Sequence, residues 1–396
     1  MPHTHLSQQR QLALLQLTLT LTLALAVTTT APAFAQLTTP ATTPAFSLTE
    51  LPPIPDAEGF AGSFAGISNN HLLVIGGANF PDKKPWDGGS KAWSDRIYAL
   101  PLSIPRSLRL GQTPKHPALL MNRTPWKLAG RNPTPTGYGV SATFHDEVLC
   151  VGGSNPTQHY SSVTAVRYQN STPAFRQLPP LPRPLANHCG TLVGNLLYIA
   201  GGQTDPNSAP AETAAWTLDL NHTETGWIRL PDCPGTPRIL ATAATTGQDF
   251  WMIGGASLRP GSDGKPVRTW LKDAWRYSPE LGWQQLPDLP APRVAAPSPA
   301  PAPQQTPVLL GGDDGSQAGN DPRTHQGFTT TSLSLAPQHT QANLPKQWLS
   351  SSPFPPAVVT TTTVHVDDFW IIPSGEIRPG IRSPKVWLLL PTPATQ

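Results

Sequence analysis

The 396-residue sequence has few charged residues, and this shortage excludes one class of protein. Charged side chains make up only 13% of the chain, the formal net charge is +3, and lysine and arginine form no cluster. A nucleic-acid-binding protein normally concentrates such cations on one surface, so we expect no nucleic-acid partner. With 12 tryptophans and regularly spaced apolar runs, the composition nevertheless supports a folded core.

Cysteine is also scarce, with only Cys150, Cys189 and Cys233 in the chain. Three thiols allow one disulfide at most, so disulfides do not hold this fold together. None has CxxC spacing, and the 11 histidines are scattered. The acidic segment 311–322 lacks the ligand spacing of a calcium loop. We therefore predict neither a metal nor any other cofactor.

The N-terminal 35 residues differ in composition from the rest of the chain. Arg10 precedes the apolar run "LALLQLTLTLTLALAV", and Ala33 and Ala35 form the small-x-small pattern of a signal-peptidase site. The run is short and rich in threonine for a membrane span, although an uncleaved anchor is the alternative. We predict a signal peptide over 1–35, a linker over 36–45, and a periplasmic or secreted protein without a membrane segment after cleavage.

An apolar run that ends in a pair of small residues recurs six times. The runs lie at 72–77, 148–153, 196–202, 250–255, 307–312 and 369–375. Five end in Gly-Gly, and the sixth has Ser374-Gly375. Each run follows a segment of small residues and a turn and precedes another strand, often with Trp or Tyr; five units add a further strand that ends near proline.

Four short antiparallel strands per unit are typical of the blade of a β-propeller. Small residues suit crowded inner strands, and glycine pairs suit a backbone that turns with positive φ between neighbouring blades. The pattern therefore predicts an all-β fold, a single six-bladed propeller over residues 46–396. A seven-bladed ring with one degenerate blade is the alternative, and only the insertion around 101–125 offers chain for it.

The sixth unit has no outer strand of its own, since only "PTPATQ" follows Leu390. The segment "FSLTELPPIP" (46–55) has the apolar alternation and proline-rich exit of the missing strand. We expect this N-terminal strand to pair with the last blade and close the ring, which removes exposed strand edges.

The glycine pairs and the later Trp and Tyr residues resemble Kelch repeats. Two segments, 59–100 and 368–390, and in addition "TGYGVS" (136–141), are similar to the sialic acid mutarotase (N-acetylneuraminate epimerase) family of periplasmic Kelch propellers. Here "FAGISN" precedes "SGEIRPGIR", which resembles the cyclically permuted branch of that family. A ring whose termini meet tolerates such a permutation.

The resemblance implies an exported, cofactor-free mutarotase that interconverts the anomers of N-acetylneuraminate or a related acidic sugar. The family's catalytic Glu maps onto Glu376 and its catalytic Arg maps onto Arg382, six residues later. A carboxylate suits removal of the anomeric proton, and a guanidinium suits binding of the sugar carboxylate, a role open to Arg378 as well. Without the resemblance, a surface ion pair in a loop is the simpler interpretation.

Five further residues are candidates for substrate binding. Arg183, Arg238 and Arg293 each precede an inner strand, shortly after a proline, and equivalent placement would surround one mouth of the ring with positive charge. Hydrogen bonds to carbonyls of adjacent blades are the alternative for these arginines. Asn79 and Trp86 follow the first glycine pair and would cover a sugar face, or Trp86 would merely pack its loop.

Two other functions remain open on this pattern. A Kelch module that binds glycan or protein without chemistry would have the same repeats, with Glu376 and Arg382 as structural residues. A copper-containing Kelch oxidase is disfavoured because no Tyr/Cys/His constellation is present. The partner we expect is a small-molecule sugar, and the sequence indicates no oligomeric state.

Overall fold

Short antiparallel strands dominate the computed structural model, which describes residues 46–102, 125–208, 210–262, 266–335 and 347–392. The predicted signal peptide, the linker and most of the insertion at 101–125 lie outside the described residues. The helical turns in the described ranges are 3₁₀ turns at Pro85–Asp87, Thr223–Thr225 and Pro303–Gln305. Within the same ranges, no helix has the length and apolar character needed to cross a membrane.

Six sheets follow one another along the chain, and we number them as blades 1 to 6. Blade 1 contains Phe64–Ser68, His71–Ile75, Arg96–Pro101 and Lys127–Arg131; blade 2 contains Val140–Phe144, Glu147–Val151, Val163–Gln169 and Thr172–Leu178. Blade 3 contains Cys189–Val193, Leu196–Ala200, Ala215–Asp219 and Ile228–Leu230; blade 4 contains Thr242–Thr246, Asp249–Ile253, Ala274–Ser278 and Gly282–Leu286. Blade 5 contains Val308–Leu309, Ser332–Leu335 and Trp348–Ser351; blade 6 contains Val364–Val366, Phe369–Pro373, Val386–Pro391 and Phe46–Leu51. The arrangement confirms the predicted all-β, six-bladed propeller.

Three further hairpins project from the ends of blades 1, 4 and 6. They pair Ala78–Asn79 with Ala92–Trp93, Ala256–Pro260 with Pro266–Trp270, and Glu376–Arg378 with Ile381–Arg382. Each begins directly after the small-residue pair of its blade, so all three project from the same end of the ring.

The N-terminal strand closes the ring as the sequence predicts. Phe46–Leu51 pairs antiparallel with Val386–Pro391, so that Phe46 lies opposite Pro391 and Leu51 opposite Val386. The strand therefore forms the outer edge of blade 6, and the last blade is built from both ends of the propeller segment.

Blade 5 departs from the four-strand pattern that we expected in every unit. Its inner position is taken by the proline-rich segment 294–303, which forms no regular strand because proline lacks the N–H that a ladder requires. Isolated bonds fix the segment instead: Ala300 N donates to Ala243 O at 2.7 Å, and Val308 N donates to Pro301 O at 2.7 Å.

The hydrophobic core lies between neighbouring blades. One cluster joins Leu72 and Tyr98 of blade 1 to Ile371 and Leu388 of blade 6, and all four side chains are buried. Sheets that pack face to face around an axis need a second strand that is apolar on both faces, which explains the continuous apolar runs in the sequence.

The glycine pair at the end of the second strand lets blades approach each other. In blade 1, Gly76 has φ of 64°, and a Cβ there would lie 2.2 Å from the carbonyl oxygen of Thr136. Gly77 N donates to the same oxygen at 2.9 Å. A Cβ at Gly254 would lie 2.2 Å from Arg293 O in the equivalent contact. A side chain at these first positions is therefore excluded.

A closed ring of six backbone hydrogen bonds surrounds the axis where the inner strands begin. In each bond, a residue of one blade donates its N–H to the carbonyl of the equivalent residue in the preceding blade, at 2.7 or 2.8 Å. The members are Gly62, Tyr138, Asn187, Leu240, Ala295 and Thr360, with φ between 54° and 66°. Left-handed φ costs about 1–2 kcal/mol for a residue with a side chain, and the ring bonds offset that cost.

Candidate active site

A cavity of about 550 Å³ opens on one side of this ring. Its size falls within the range of small-molecule sites in proteins. The five ring members with side chains line both this cavity and a narrower space of about 70 Å³ on the axis. The ring therefore forms the floor of the cavity.

The repeat itself directs one residue per blade towards this cavity. The residue before each ring member forms a β-bridge with the residue that follows the small pair of its blade. These following residues are Ala78, Ser154, Gln203, Ala256, Asp313 and Glu376. The four polar ones all line the cavity. Glu376 thus occupies a wall position that the propeller geometry creates in every blade.

Glu376 and Arg382 meet because a tight hairpin sets them opposite each other. Glu376 is the register partner of Arg382, and Gly380 turns the chain with φ of 79°. Directly opposed residues of an antiparallel pair bring their side chains together. Arg382 Nη1 donates to Glu376 Oε1 at 3.1 Å across the Pro379-Gly380 turn.

The Glu376 carboxylate is held through one oxygen. Oε1 accepts hydrogen bonds from Gly380 N at 2.8 Å and from Arg382 Nη1 at 3.1 Å. Oε2 has no partner among the described residues, and the Glu376 side chain is 18% exposed. A carboxylate fixed at one oxygen and open at the other can accept a proton from a bound hydroxyl group.

Arg382 lies in the cavity wall and is not part of a surface ion pair. Its side chain is 3% exposed, and its guanidinium lies 4.7 Å from the ring centroid of Phe80. Aromatic faces attract guanidinium groups, so Phe80 of the blade 1 loop helps to fix the orientation of Arg382. Because Arg382 Nη1 already donates to Glu376, bidentate hydrogen bonding of both Nη atoms to a substrate carboxylate would require this bond to break.

Three further polar residues of the cavity were not singled out from the sequence. Asp313 accepts hydrogen bonds from Trp270 Nε1 at 2.9 Å and from Gly315 N at 3.0 Å. Gln203 and His159 lie together, with His159 Nδ1 2.9 Å from Gln203 O. The position directly after a glycine pair was a signal available for Asp313 and Gln203.

His159 is a neutral acceptor in the cavity wall. Burial lowers the pKa of His159, so the imidazole stays uncharged at neutral pH. Because Gln203 O can only accept, Nδ1 carries the ring proton and Nε2 carries a lone pair.

Asn79 and Trp86 do not line the cavity. Asn79 is buried, and its Nδ2 donates to Gly59 O at 3.0 Å and to Asp56 Oδ1 at 3.2 Å. Trp86 is half-buried and packs on the hairpin, since a Cβ at Gly380 would lie 3.0 Å from Trp86 Cζ3. The packing alternative therefore describes Trp86.

Arg238 and Arg293 do not line the cavity. Arg238 is 1% exposed and forms two bonds to Asp273, at 2.9 and 2.5 Å, and one to Gly254 O at 3.0 Å. Arg293 is buried as well, and burial lowers its pKa. In the described part of the chain, these two arginines therefore do not place positive charge around the mouth of the ring, because their side chains turn between the blades.

Arg183 does not occupy the position of Arg238 in its own blade. Leu185 is the equivalent residue, and Arg183 precedes it on the surface, where it pairs with Glu212 at 3.3 Å. Arg378 is half-buried on the blade 6 hairpin opposite Ile381 and does not line the cavity. The structure thus brings together only Glu376 and Arg382 of the eight candidates.

Sequence comparison relates part of the chain to curated proteins. N-acetylneuraminate epimerase of Salmonella enteritidis PT4 (strain P125109) is 35% identical over 130 residues, 30% of this chain and 28% of that protein. N-acetylneuraminate epimerase of Haemophilus influenzae (strain PittEE) is 32% identical over 121 residues, 28% of this chain and 27% of that protein. The match spans less than a third of these relatives, and no protein-family model matches.

A solved structure supports the fold over nearly the whole chain. The structure of YjhT superposes with a TM-score of 0.58 at 15% sequence identity, covering 86% of this chain and 97% of that one. At this identity the likeness shows the fold alone. The chain thus resembles N-acetylneuraminate epimerases in part of its sequence, and it shares its architecture with YjhT.

Proposed function

We propose that this protein is an exported isomerase that interconverts the anomers of N-acetylneuraminate or of a related acidic sugar. The observation that carries the proposal is the Glu376 carboxylate, which is hydrogen-bonded through Oε1 and leaves Oε2 free in the wall of the cavity of about 550 Å³. The partial identity to N-acetylneuraminate epimerases supports the choice of sugar.

Glu376 acts as the base in the proposed reaction. Its free Oε2 removes the proton of the anomeric hydroxyl, and the bond between the anomeric carbon and the ring oxygen breaks to leave an open-chain ketone. The departing ring oxygen takes the proton from Glu376. Rotation about the adjacent carbon–carbon bond presents the other face of the ketone, and the same steps in reverse close the ring as the second anomer.

Arg382 orients the reacting groups in this scheme. Its bond to Oε1 keeps Oε2 turned to the substrate, and its positive charge attracts the sugar carboxylate. A fixed geometry of base and hydroxyl removes much of the entropic cost of the proton transfer. The scheme uses acid–base chemistry alone.

Export belongs to the same proposal. We infer that residues 1–35 are removed after Ala35, so that the mature protein begins at Gln36 and works in the periplasm or outside the cell. N-terminal sequencing of the exported protein tests this inference, and recovery of Met1 would contradict it.

Exchange NMR tests the activity directly. The rate at which magnetisation passes between the two anomers of N-acetylneuraminate is measured with the protein, without it, and with heat-denatured protein. We expect faster exchange only with the folded protein. Binding of the sugar with exchange at the uncatalysed rate would support the alternative, a non-catalytic Kelch-repeat module that binds glycan.

A further inference from the structure

Three cationic side chains line the cavity, and they differ in their partners. Arg382 binds Glu376, whereas Lys91 and Arg268 have no carboxylate within ion-pair distance among the described residues. Both are exposed to the cavity opening. The cavity therefore presents two positive charges that no carboxylate of the described chain neutralises.

Lys91 is held in place by two aromatic rings. Its Nζ lies 5.3 Å from the ring centroid of Trp93 and 5.0 Å from that of Tyr138. Aromatic faces attract an ammonium group without neutralising its charge, so Nζ remains available to an anion. Trp93 belongs to the blade 1 hairpin and Tyr138 to the hydrogen-bonded ring, which fixes the ammonium beside the cavity floor.

Lys91 also stands on the blade next to the candidate base. Blades 1 and 6 are adjacent in the ring, where Gly62 N donates to Thr360 O at 2.7 Å. The same blade 1 loop supplies Phe80, which stacks on Arg382. Arg268 lies on the hairpin of blade 4, two blades away from blade 6.

We propose that Lys91 binds the carboxylate of the acidic sugar and makes the cavity select anionic over neutral sugars. The inference rests on the proposed function. In N-acetylneuraminate the carboxylate and the reacting hydroxyl share one carbon atom, so the groups that bind them must be neighbours. Lys91 lies on the blade adjacent to that of Glu376, whereas Arg268 lies two blades away. Nη1 of Arg382 is already bonded to Glu376.

The test compares two sugars and three variants. The probes are N-acetylneuraminate and its methyl ester, which keeps the anomeric hydroxyl and lacks the charge. Lys91→Met should lower the ratio of kcat/KM for the acid to that for the ester by about tenfold, the loss of one charge-assisted contact at an exposed site. Lys91→Arg should restore most of the ratio. Arg268→Met, which removes the other exposed cation of the cavity, should leave the ratio close to that of the wild type.

Two results would overturn the assignment of Lys91. One is an unchanged ratio in Lys91→Met; the other is a larger loss of the ratio in Arg268→Met than in Lys91→Met. Titration calorimetry with both sugars separates this outcome from failure of the proposed function. If the wild type binds the acid without catalysing exchange, the mutarotase proposal fails. The role of Lys91 is then tested by the ratio of the dissociation constants for the acid and the ester in the wild type and in Lys91→Met. If the wild type binds neither sugar, both proposals fail.

Discussion

Arg382 and Glu376 face each other across a hairpin turn, with Nη1 of the arginine 3.1 Å from Oε1 of the glutamate. The turn residue Gly380 donates its N–H to the same oxygen at 2.8 Å, and Phe80 covers the guanidinium from the neighbouring blade. One carboxylate oxygen is thus fully engaged and the other is free. A short hairpin in the cavity wall is sufficient to produce this asymmetry.

Glu376→Gln should abolish most of the anomer exchange. The amide preserves the shape of the side chain and cannot accept the anomeric proton, so the exchange rate should fall by about 10²–10⁴-fold while the sugar still binds. Glu50→Gln is the matched control, because Glu50 of the same blade forms an exposed pair with Lys385 at 3.1 Å. Wild-type exchange in Glu376→Gln would place the chemistry elsewhere.

Arg382→Ala should weaken binding of the acidic sugar by about 1.5–3 kcal/mol, because it removes a positive charge that attracts the sugar carboxylate in addition to Lys91. It should also slow exchange, because Glu376 Oε1 would keep only its bond from Gly380. Arg378→Ala removes a cation of the same hairpin that does not line the cavity, and it should bind sugar like the wild type. Titration calorimetry measures both. Equal losses in the two variants would contradict a specific role for Arg382.

The repeat pattern predicted the fold because each of its signals is local and is required by the backbone geometry. A first glycine is required where the backbone closely passes a carbonyl of the next blade, as Gly76 passes Thr136. In blade 6, Ser374 takes this position with φ of 61°, and its hydroxyl bonds the carbonyl of Phe60 at 2.9 Å. The positive φ values of the six residues in the hydrogen-bonded ring were not predictable in the same way. Leu240 and Thr360 adopt positive φ that their side chains disfavour, and only the bonds between blades impose it.

The candidate site was predictable only where one stretch of chain contains it. Glu376 and Arg382 are six residues apart in a single hairpin, so their contact follows from the turn. Lys91 and Asp313 reach the cavity from different blades, and their placement depends on the whole ring. The Pro-Arg pattern located Arg238 along the chain without indicating that its side chain turns between blades.

Gly380→Ala should disturb the site more than Gly88→Ala, although both glycines have φ of 79°. A Cβ at Gly88 has nothing within 4 Å, so this variant reports the backbone cost alone, about 1–2 kcal/mol. A Cβ at Gly380 would lie 3.0 Å from Trp86 Cζ3 and 3.1 Å from Pro85. The hairpin must shift in response, and misplacement of Glu376 should slow exchange by roughly tenfold.

Urea unfolding and exchange NMR on both glycine variants measure these two effects separately. We expect the free energy of unfolding to fall in both variants and the exchange rate to fall only in Gly380→Ala. Equal exchange rates in the two variants would show that contact with Trp86 does not hold the Glu376 hairpin in position.

The stability of the propeller should fall on acidification because of its buried histidines. His188 is 6% exposed, neither ring nitrogen has a partner among the described residues, and burial lowers its pKa to about 3. An unfolded histidine has a pKa of about 6.5. Below about pH 6.5 the unfolded chain therefore binds a proton that the folded protein does not bind, and stability decreases as the pH falls from about 6.5 towards 3.

Each such histidine contributes a slope of up to about 1.4 kcal/mol per pH unit. Burial also lowers the pKa of His159, so two buried side chains share the effect in the wild type. His188→Gln removes one of them, and its free energy of unfolding, measured in urea, should decrease less steeply from pH 7 to pH 5. Comparing the slopes of the free energy of unfolding against pH removes the pH-independent loss of packing energy that the substitution causes. Parallel curves for the two proteins would mean that folded His188 takes up its proton over the same pH range as an unfolded histidine.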